Sequence, residues 1–386
     1  MSKENCVEEF NTHYESLPYA HSFLRVPATL RKEDCHFRVY EHLSFELTGE
    51  GEHLFLLIEK EGCNTEWVAK QLIKRFEVDS KALGYAGKKD RHSVSQQWFS
   101  VQLPGINLEN EEIVKIVNNE EFKLIKAARH NKKLRRGAIS FNHFEITLSD
   151  INSEFDSEAF EKLSREGFPN YFGYQRFGID SSNLVKADRL LTGQTKIKSR
   201  EKRSMAISAA RSFLFNLQLA KRLTEENWNQ AVEGDCFNLD GSNSFFSVSK
   251  NHKADEKTDF ASDKHDLDKR LAQGDIHVSG WLPGNQPSEA SAVAQDYEQL
   301  ANKAYNDWFD GFSKLRVDSS RRAFRVIPKN LHCEKEEELL HLQFDLPSGS
   351  YATSLLREMF DVTDASVEKA KAYIAEKERE RAENVD

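Results

Sequence analysis

Lys88-Lys89-Asp90-Arg91-His92 sets one carboxylate among four potential cations. The run follows a small-residue turn, Gly84 to Gly87, and precedes Trp98, Phe99, Ser100 and Val101, which read as the start of a strand. Neighbouring cations hold such an acid ionised, and a glycine-permissive loop lets backbone come close to a phosphate. An ionised Asp there can serve as nucleophile or as general base. It can equally be satisfied by backbone N–H groups, or by Lys88 or Arg91, so the loop alone leaves both readings open. GYAGKK is not a phosphate-cradling P-loop, because its glycines stand three apart and no Ser or Thr follows the lysine.

A second chemical feature is charge that is unevenly spread. The chain of 386 residues carries a net charge of −9, which argues weakly against a nucleic-acid partner. Yet Lys123 to Phe144 holds seven Lys or Arg and no acid, while acids gather in 109–121, in 255–268 and in the C-terminal tail. A locally basic face can bind phosphates by counterion release. Arg129, Lys132, Lys133, Arg135 and Arg136 are the candidates, although a run of charge is more often a solvated face. Five scattered cysteines without a C-x-x-C pair argue against a disulfide framework or a zinc site, and the thirteen histidines show no metal spacing. His92 and His130 are read as lying in basic loops. Cys63 reads as a small buried apolar residue.

The elements that would position these groups follow from periodicity. Phe37, Val39, Leu43, Phe45 and Leu47 alternate with polar residues, with Glu41 the exception on the apolar side. HLFLLIEK reads as a more buried strand, and Asn64 and Thr65 cap a helix over Val68, Leu72, Ile73 and Phe76. Ile139, Phe141, Phe144, Ile146 and Leu148 give another strand, with a break around Asn142. Ser157 starts a helix that ends at Gly167. A long helix carries Ala206, Ile207, Ala210, Phe213, Leu214 and Leu217 on one face. Residues 234–285 look irregular, 291–309 helical, Leu340, Leu342 and Phe344 strand-like, 350–360 a short helix and 365–384 a charged helix. The first twenty residues look loosely held. Strands and helices mix without strict alternation, which points to an α/β (α+β) chain with a mixed sheet. No stretch approaches the ~20 apolar residues of a membrane span, and the N-terminus lacks a signal peptide's apolar run. The expected location is cytoplasmic.

Several separated segments resemble the tRNA pseudouridine synthase D family. AGKKDRHSVSQQW is similar to that family's catalytic loop, AG-x-KD-x-x-x-x-x-x-QW. HFRVYEHLSFELTGEGEHLFLLIEKEGCNT, NYFGYQRFGIDSSNL and LPSGSYATSLLRE match in order, with weak similarity only between Thr224 and Val317. The resemblance implies a pseudouridine-synthase-like core, residues 1–195 and 329–386, interrupted by an inserted smaller α/β domain, residues 196–328. It implies two lobes forming a cleft for tRNA. It implies Asp90 as the catalytic residue, with Phe37, Asn170 and Tyr351 at the substrate-contact positions. Tyr351 replaces the Phe of some relatives, and its hydroxyl needs a partner if buried.

Arg31 lies just before the first motif and could touch phosphate near the target, or be solvated. Lys88, Lys89, Arg91 and Arg176 are further RNA-contact candidates. Arg176 and Arg357 could instead form structural ion pairs. The implied reaction is isomerisation of uridine to pseudouridine at position thirteen of certain tRNAs, in the D-stem region. It changes no oxidation state and transfers no group, so no cofactor and no metal are expected. A monomer is the default. Two alternatives stay open: a non-catalytic RNA-binding or tRNA-folding protein, and a nucleoside glycosidase, whose chemistry usually calls for two paired carboxylates.

Overall fold

The alternating segment Phe37–Leu43 and the apolar run His53–Lys60 both form strands in the computed structural model, which describes residues 16–248 except 153 and 155, residues 260–369 and residue 376. The chain runs through β1 (Val26–Leu30), β2 (Phe37–Leu43), β3 (His53–Lys60), α1 (Thr65–Arg75), β4 (Leu83–Tyr85), β5 (Val94–Gln102), α2 (Asn110–Val117), β6 (Phe122–His130), β7 (Ile139–Ser149) and α3 (Ser157–Glu166). Then come β8 (Phe168–Pro169), α4 (Ser182–Leu191), α5 (Arg200–Thr224), β9 (Cys236–Leu239), β10 (Phe245–Ser247), α6 (Phe260–Gln273) and β11 (Ile276–Leu282). α7 (Ala292–Ala304), α8 (Asn306–Lys314), β12 (Ser320–Ala323), β13 (Arg325–Val326), β14 (Lys329–Glu336), β15 (Leu339–Pro347), α9 (Ala352–Met359) and β16 (Phe360–Asp364) follow. No helix among the described residues is long and apolar enough to cross a membrane.

Two compact units share the chain. The first takes Leu24–Phe160, Pro328–Gly349 and Met359–Asp386, and the second takes Met1–Phe23, Glu161–Ile327 and Ser350–Glu358. Residues 161–195 therefore group with 196–327.

The first unit is built on a ten-stranded mixed sheet with the path β14-β15-β7-β2-β5-β3-β6; β1 joins β7 and β16, and β4 joins β5. The pairs β2–β5 and β1–β16 are parallel. β3 is buried on both faces. Leu54, Leu56 and Ile58 pack with Val68 and Leu72 of α1 and with Ile113 and Val117 of α2, while Phe55 packs with Trp98, Leu134 and Ile139. Asn64 caps α1 as expected, its side chain accepting from Trp67 N at 2.9 Å, a contact worth about 1 kcal/mol. The broken alternation near Asn142 is a β-bulge: His42 pairs with Phe141 but Leu43 with Ile139, so Ser140 is the extra residue. The bulge turns Phe141 away from the core to stack on His42, ring centroids 4.3 Å apart, and turns Asn142 inward with Phe144 and Ile146.

In the second unit α5 buries Ala206, Ala210, Phe213, Leu214 and Leu219 in a core shared with Leu184, Leu191 and Val278. Two expectations need correction here. Residues 234–285 are not irregular, since β9, β10, α6 and β11 lie among them. α6 buries Leu267 and Leu271 in an otherwise polar stretch, too few apolar positions to announce a period. The first twenty residues are not uniformly loose: Leu17 is buried, and the Arg357 guanidinium donates to Leu17 O at 2.8 Å and to Pro18 O at 3.3 Å. Arg357 is thus a structural residue. Residues 1–15, the run 251–259 and most of the charged helix expected over 365–384 lie outside the described residues.

Candidate active site

Asp90 sits in the loop Ala86–Ser93 between β4 and β5, and buried side chains fix that loop. Gln97 Nε2 donates to Gly87 O at 2.8 Å, Thr65 Oγ1 donates to Gln97 Oε1 at 2.8 Å, and Lys89 N donates to Thr65 Oγ1 at 2.8 Å. Gly84 is required by close approach, because a Cβ there would stand 2.5 Å from Leu134 O; at Gly87 a Cβ would meet nothing within 4 Å. The exceptional Glu41 is the second anchor. Buried on β2, it accepts from Lys89 Nζ at 2.5 Å and from Trp98 N at 2.9 Å, and Asn142 Oδ1 accepts from the same Nζ at 3.1 Å. Glu41 and Asn142, the two residues that spoiled their strand patterns, are both partners of Lys89.

The cations adjacent in sequence each meet another acceptor. Lys88 pairs with Glu66, Lys89 with Glu41, and Arg91 Nε donates to Gly62 O at 2.9 Å. The carboxylate's partner is Arg31, whose Nη2 lies 2.8 Å from Asp90 Oδ2, while its Nη1 lies 2.5 Å from Asp364 Oδ2. Arg31 is 3% exposed, Asp364 18% and Asp90 54%. A buried guanidinium thus presents an open carboxylate. Arg31 occupies a buried ion-pair position, neither the solvated one nor the exposed one that a phosphate contact needs. Its guanidinium carbon stands 4.0 Å from the centroid of the Phe37 ring. That ring is itself buried, meeting Phe144 edge-on at 6.1 Å.

Asp90's backbone is held as well. Lys60, the last residue of β3, donates from Nζ to Asp90 O at 2.8 Å and to Cys63 O at 2.7 Å, and Ser93 Oγ donates to Asp90 O at 3.0 Å. Burial draws the Lys60 ammonium down to about 8, with Asp90, Glu41 and Cys63 opposing the drop and Lys89 adding to it. Neither Lys60 nor Asp364 stood out in the sequence. Lys60 ends an apolar run, where a lysine ordinarily marks emergence into solvent. Asp364 is 274 residues from Asp90 and carries no local signal.

The second unit brings Asn170, Tyr351 and Arg176 together. Asn170 is buried, with its Nδ2 donating to Ala323 O at 2.9 Å and its Oδ1 accepting from Arg322. Arg322 also donates from Nε to Asn170 O at 3.1 Å, and its guanidinium carbon lies 4.0 Å from the Phe172 ring centroid. Burial pulls that guanidinium down to about 10, with Arg176 adding to the drop and Tyr351 opposing it. Arg176 Nε donates to the Tyr351 hydroxyl at 2.9 Å, which supplies the partner a half-buried tyrosine needs. Asn216 of α5 clasps Phe172, its side chain accepting from Phe172 N at 2.9 Å and donating to Phe172 O at 3.1 Å. Arg322 and Phe172 complete this group, and neither was singled out from the sequence.

The basic run divides. Lys126 and Arg129 belong to β6, the end strand of the sheet path, where charge also guards an open edge. Arg129 donates to Leu103 O and Ile106 O, and Lys133 Nζ to Lys81 O at 2.6 Å. Lys132, Arg135 and Arg136 are exposed. His130 is not a loop residue facing RNA. It ends β6, is buried, and stacks on Phe45 at 4.8 Å, and burial lowers its pKa. His92 keeps its loop place, with Nδ1 3.5 Å from Asp34 Oδ1. Cys63 is buried, which pushes its thiol up. Among the described residues, Glu33, Cys35 and His36 could converge on an ion, their ligand atoms lying within 4.8 Å of one another. A search for paired cysteines overlooks such a trio.

The family model for tRNA pseudouridine synthase D (TruD) matches this chain over residues 14–197 and 182–359. A tRNA pseudouridine synthase D of Hydrogenovibrio crunogenus is 40% identical over 338 residues, 87% of this chain and 93% of that protein. Its counterpart in Aeromonas salmonicida is 37% identical over 352 residues, 91% of this chain and 96% of that protein. A crystal structure from Methanosarcina mazei under the same family name superposes with a TM-score of 0.63 at 21% identity, covering 90% of this chain and 96% of that one, a likeness of fold. With the loop, its anchors and these matches spanning nearly the whole chain, the protein belongs to the tRNA pseudouridine synthase D family.

Proposed function

We propose that this protein isomerises uridine to pseudouridine in tRNA, at position thirteen in the D-stem region, with Asp90 as the carboxylate that works at the sugar. The observation that carries the reading is an open carboxylate, 54% exposed, held through one oxygen by an arginine that is 3% exposed. A target base must leave its stack to reach such a group. In the reaction the bond from C1′ to N1 breaks and a bond from C1′ to C5 forms, C5 loses its proton and N1 gains one. Asp90 acts as nucleophile at C1′ or as base at C2′. Lys132, Arg135 and Arg136, exposed and basic, are the residues proposed to meet the tRNA's phosphates.

Asp364 bears on the glycosidase reading, because the fold supplies the second acid that the sequence around Asp90 lacks. Its Oδ2 takes Arg31, and its Oδ1 takes Ser366 N at 3.0 Å and Ser366 Oγ at 2.6 Å. Both oxygens of this carboxylate are thus engaged by the protein's own donors, whereas a glycosidase's general acid must face the leaving oxygen.

Pseudouridine-specific chemical mapping of a tRNA pool, treated with wild-type or Asp90→Ala protein, tests the proposal. Conversion at position thirteen by wild type alone is the expected result. Released uracil, or equal conversion by both proteins, would remove it.

A further inference from the structure

Lys60 is 1% exposed, at the end of a strand whose residues on the same face, Leu54, Leu56 and Ile58, are apolar. Taking an ammonium out of water is heavily penalised unless acceptors surround it. The acceptors here are two backbone carbonyls, one of them that of Asp90. Asp90 is therefore gripped at both ends, its carboxylate by Arg31 and its peptide by Lys60.

We propose that Lys60 is a positioning residue for Asp90: its ammonium fixes the carbonyl of the Asp90 peptide, and so the direction in which the carboxylate leaves the loop, and it keeps a positive charge beside that acid. The inference rests on the reading of Asp90 as the reacting carboxylate. The charged groups around Lys60 are Glu41 from β2, Lys89 and Asp90 from the catalytic loop, and the Cys63 thiol after β3. Arg91 and Glu121 act in turn on Cys63. With its ammonium drawn down to about 8, Lys60 loses its proton in a range where other lysines keep theirs. An uncharged amine donates a weaker hydrogen bond than an ammonium, so turnover falls as pH rises through that value.

The test uses the full chain and a tRNA transcript, with single-turnover rates and half-saturating tRNA concentrations followed from below to above pH 8. The proteins are wild type, Lys60→Met, Lys60→Arg and Asp90→Asn, each checked by circular dichroism. Wild type shows an alkaline fall near pH 8. Lys60→Met is slower by about a hundredfold, with half-saturation unchanged and no alkaline fall. Lys60→Arg, charged throughout, moves the fall to higher pH. A Lys60→Met protein with wild-type rate, or one that keeps the alkaline fall, overturns the inference. If Lys60→Met does not fold, a wild-type profile flat through pH 8, or one unchanged in Lys60→Arg, overturns it. An active Asp90→Asn protein overturns the reading of Asp90 itself. An inactive one beside an unaffected Lys60→Met sinks only the role of Lys60.

Discussion

Arg31 holds two carboxylates, and the structure predicts that they contribute to different things. Asp364 is 18% exposed and Asp90 54%, against a guanidinium 3% exposed. Removing one partner of a fully buried pair costs about 3–5 kcal/mol. Asp364 keeps some solvent, and Asn at that position keeps an acceptor, so Asp364→Asn should cost about 2 kcal/mol. The Asp90 arm is solvent-screened and worth less than ~1 kcal/mol. The assay is amide hydrogen exchange in β1 and β16, the parallel pair that brings Arg31 to Asp364. Since ~1.4 kcal/mol is a factor of ten, Asp364→Asn should lower protection there by about thirtyfold and Asp90→Asn by less than about fivefold. Activity should run the other way, with Asp90→Asn inactive and Asp364→Asn reduced. Equal losses of protection, or a larger loss in Asp90→Asn, would refute this division of labour.

Other expectations are simpler. Gly84→Ala should cost about 2–4 kcal/mol, because its Cβ would press on Leu134 O at 2.5 Å, while Gly87→Ala should be nearly neutral; thermal melts compare them. Reversing the exposed Lys132 and Arg135 to Glu should weaken tRNA binding and reduce the slope of log affinity against log salt by about two. An unchanged slope would leave these residues as a solvated face. Lys60 has a folded-state value of about 8 against an ordinary 10.5, so between those values the unfolded chain binds more protons. Stability of the first unit should therefore rise with pH across that window, by at most about 3 kcal/mol, and Lys60→Met should flatten the rise in urea titrations. Stability and turnover would then move in opposite directions over the same pH range.

Much of the first unit was legible because its strands obey a period of two and its helices are capped by their own neighbours. Asn64 at the start of α1 and Gly167 after α3 announce their elements in the sequence. The family motifs singled out Asp90, and the local run of charge gave no sign of Arg31 as its partner. A run of cations next to an acid suggests pairing within the run; the fold turns each cation to a different acceptor and brings Arg31 from 59 residues away. Glu41 and Asn142 show that an exception to a pattern carries information. Each stands inward where its pattern did not predict it and meets Lys89. Arg322 was invisible for a different reason: SSRRAFRVIP has no period to violate, so nothing separates the arginine that clasps Asn170 from its neighbours. α6 hid behind its polarity, as two leucines cannot announce a helix.

The parallel pairing of β1 with β16 has a consequence for how the protein is made. Arg31 leaves the ribosome early, yet its counter-ion Asp364 is translated 333 residues later. At roughly 5–20 residues per second that interval is about twenty seconds to a minute. Through it a nascent chain carries Asp90, its loop and most of the sheet, but lacks the strand that seats the arginine. A message cut short between Gly349 and Phe360 would yield a product whose loop is present and whose arginine is unanchored. The arginine that holds Asp90 is therefore seated by its second carboxylate only once β16, the last of these strands, has been made.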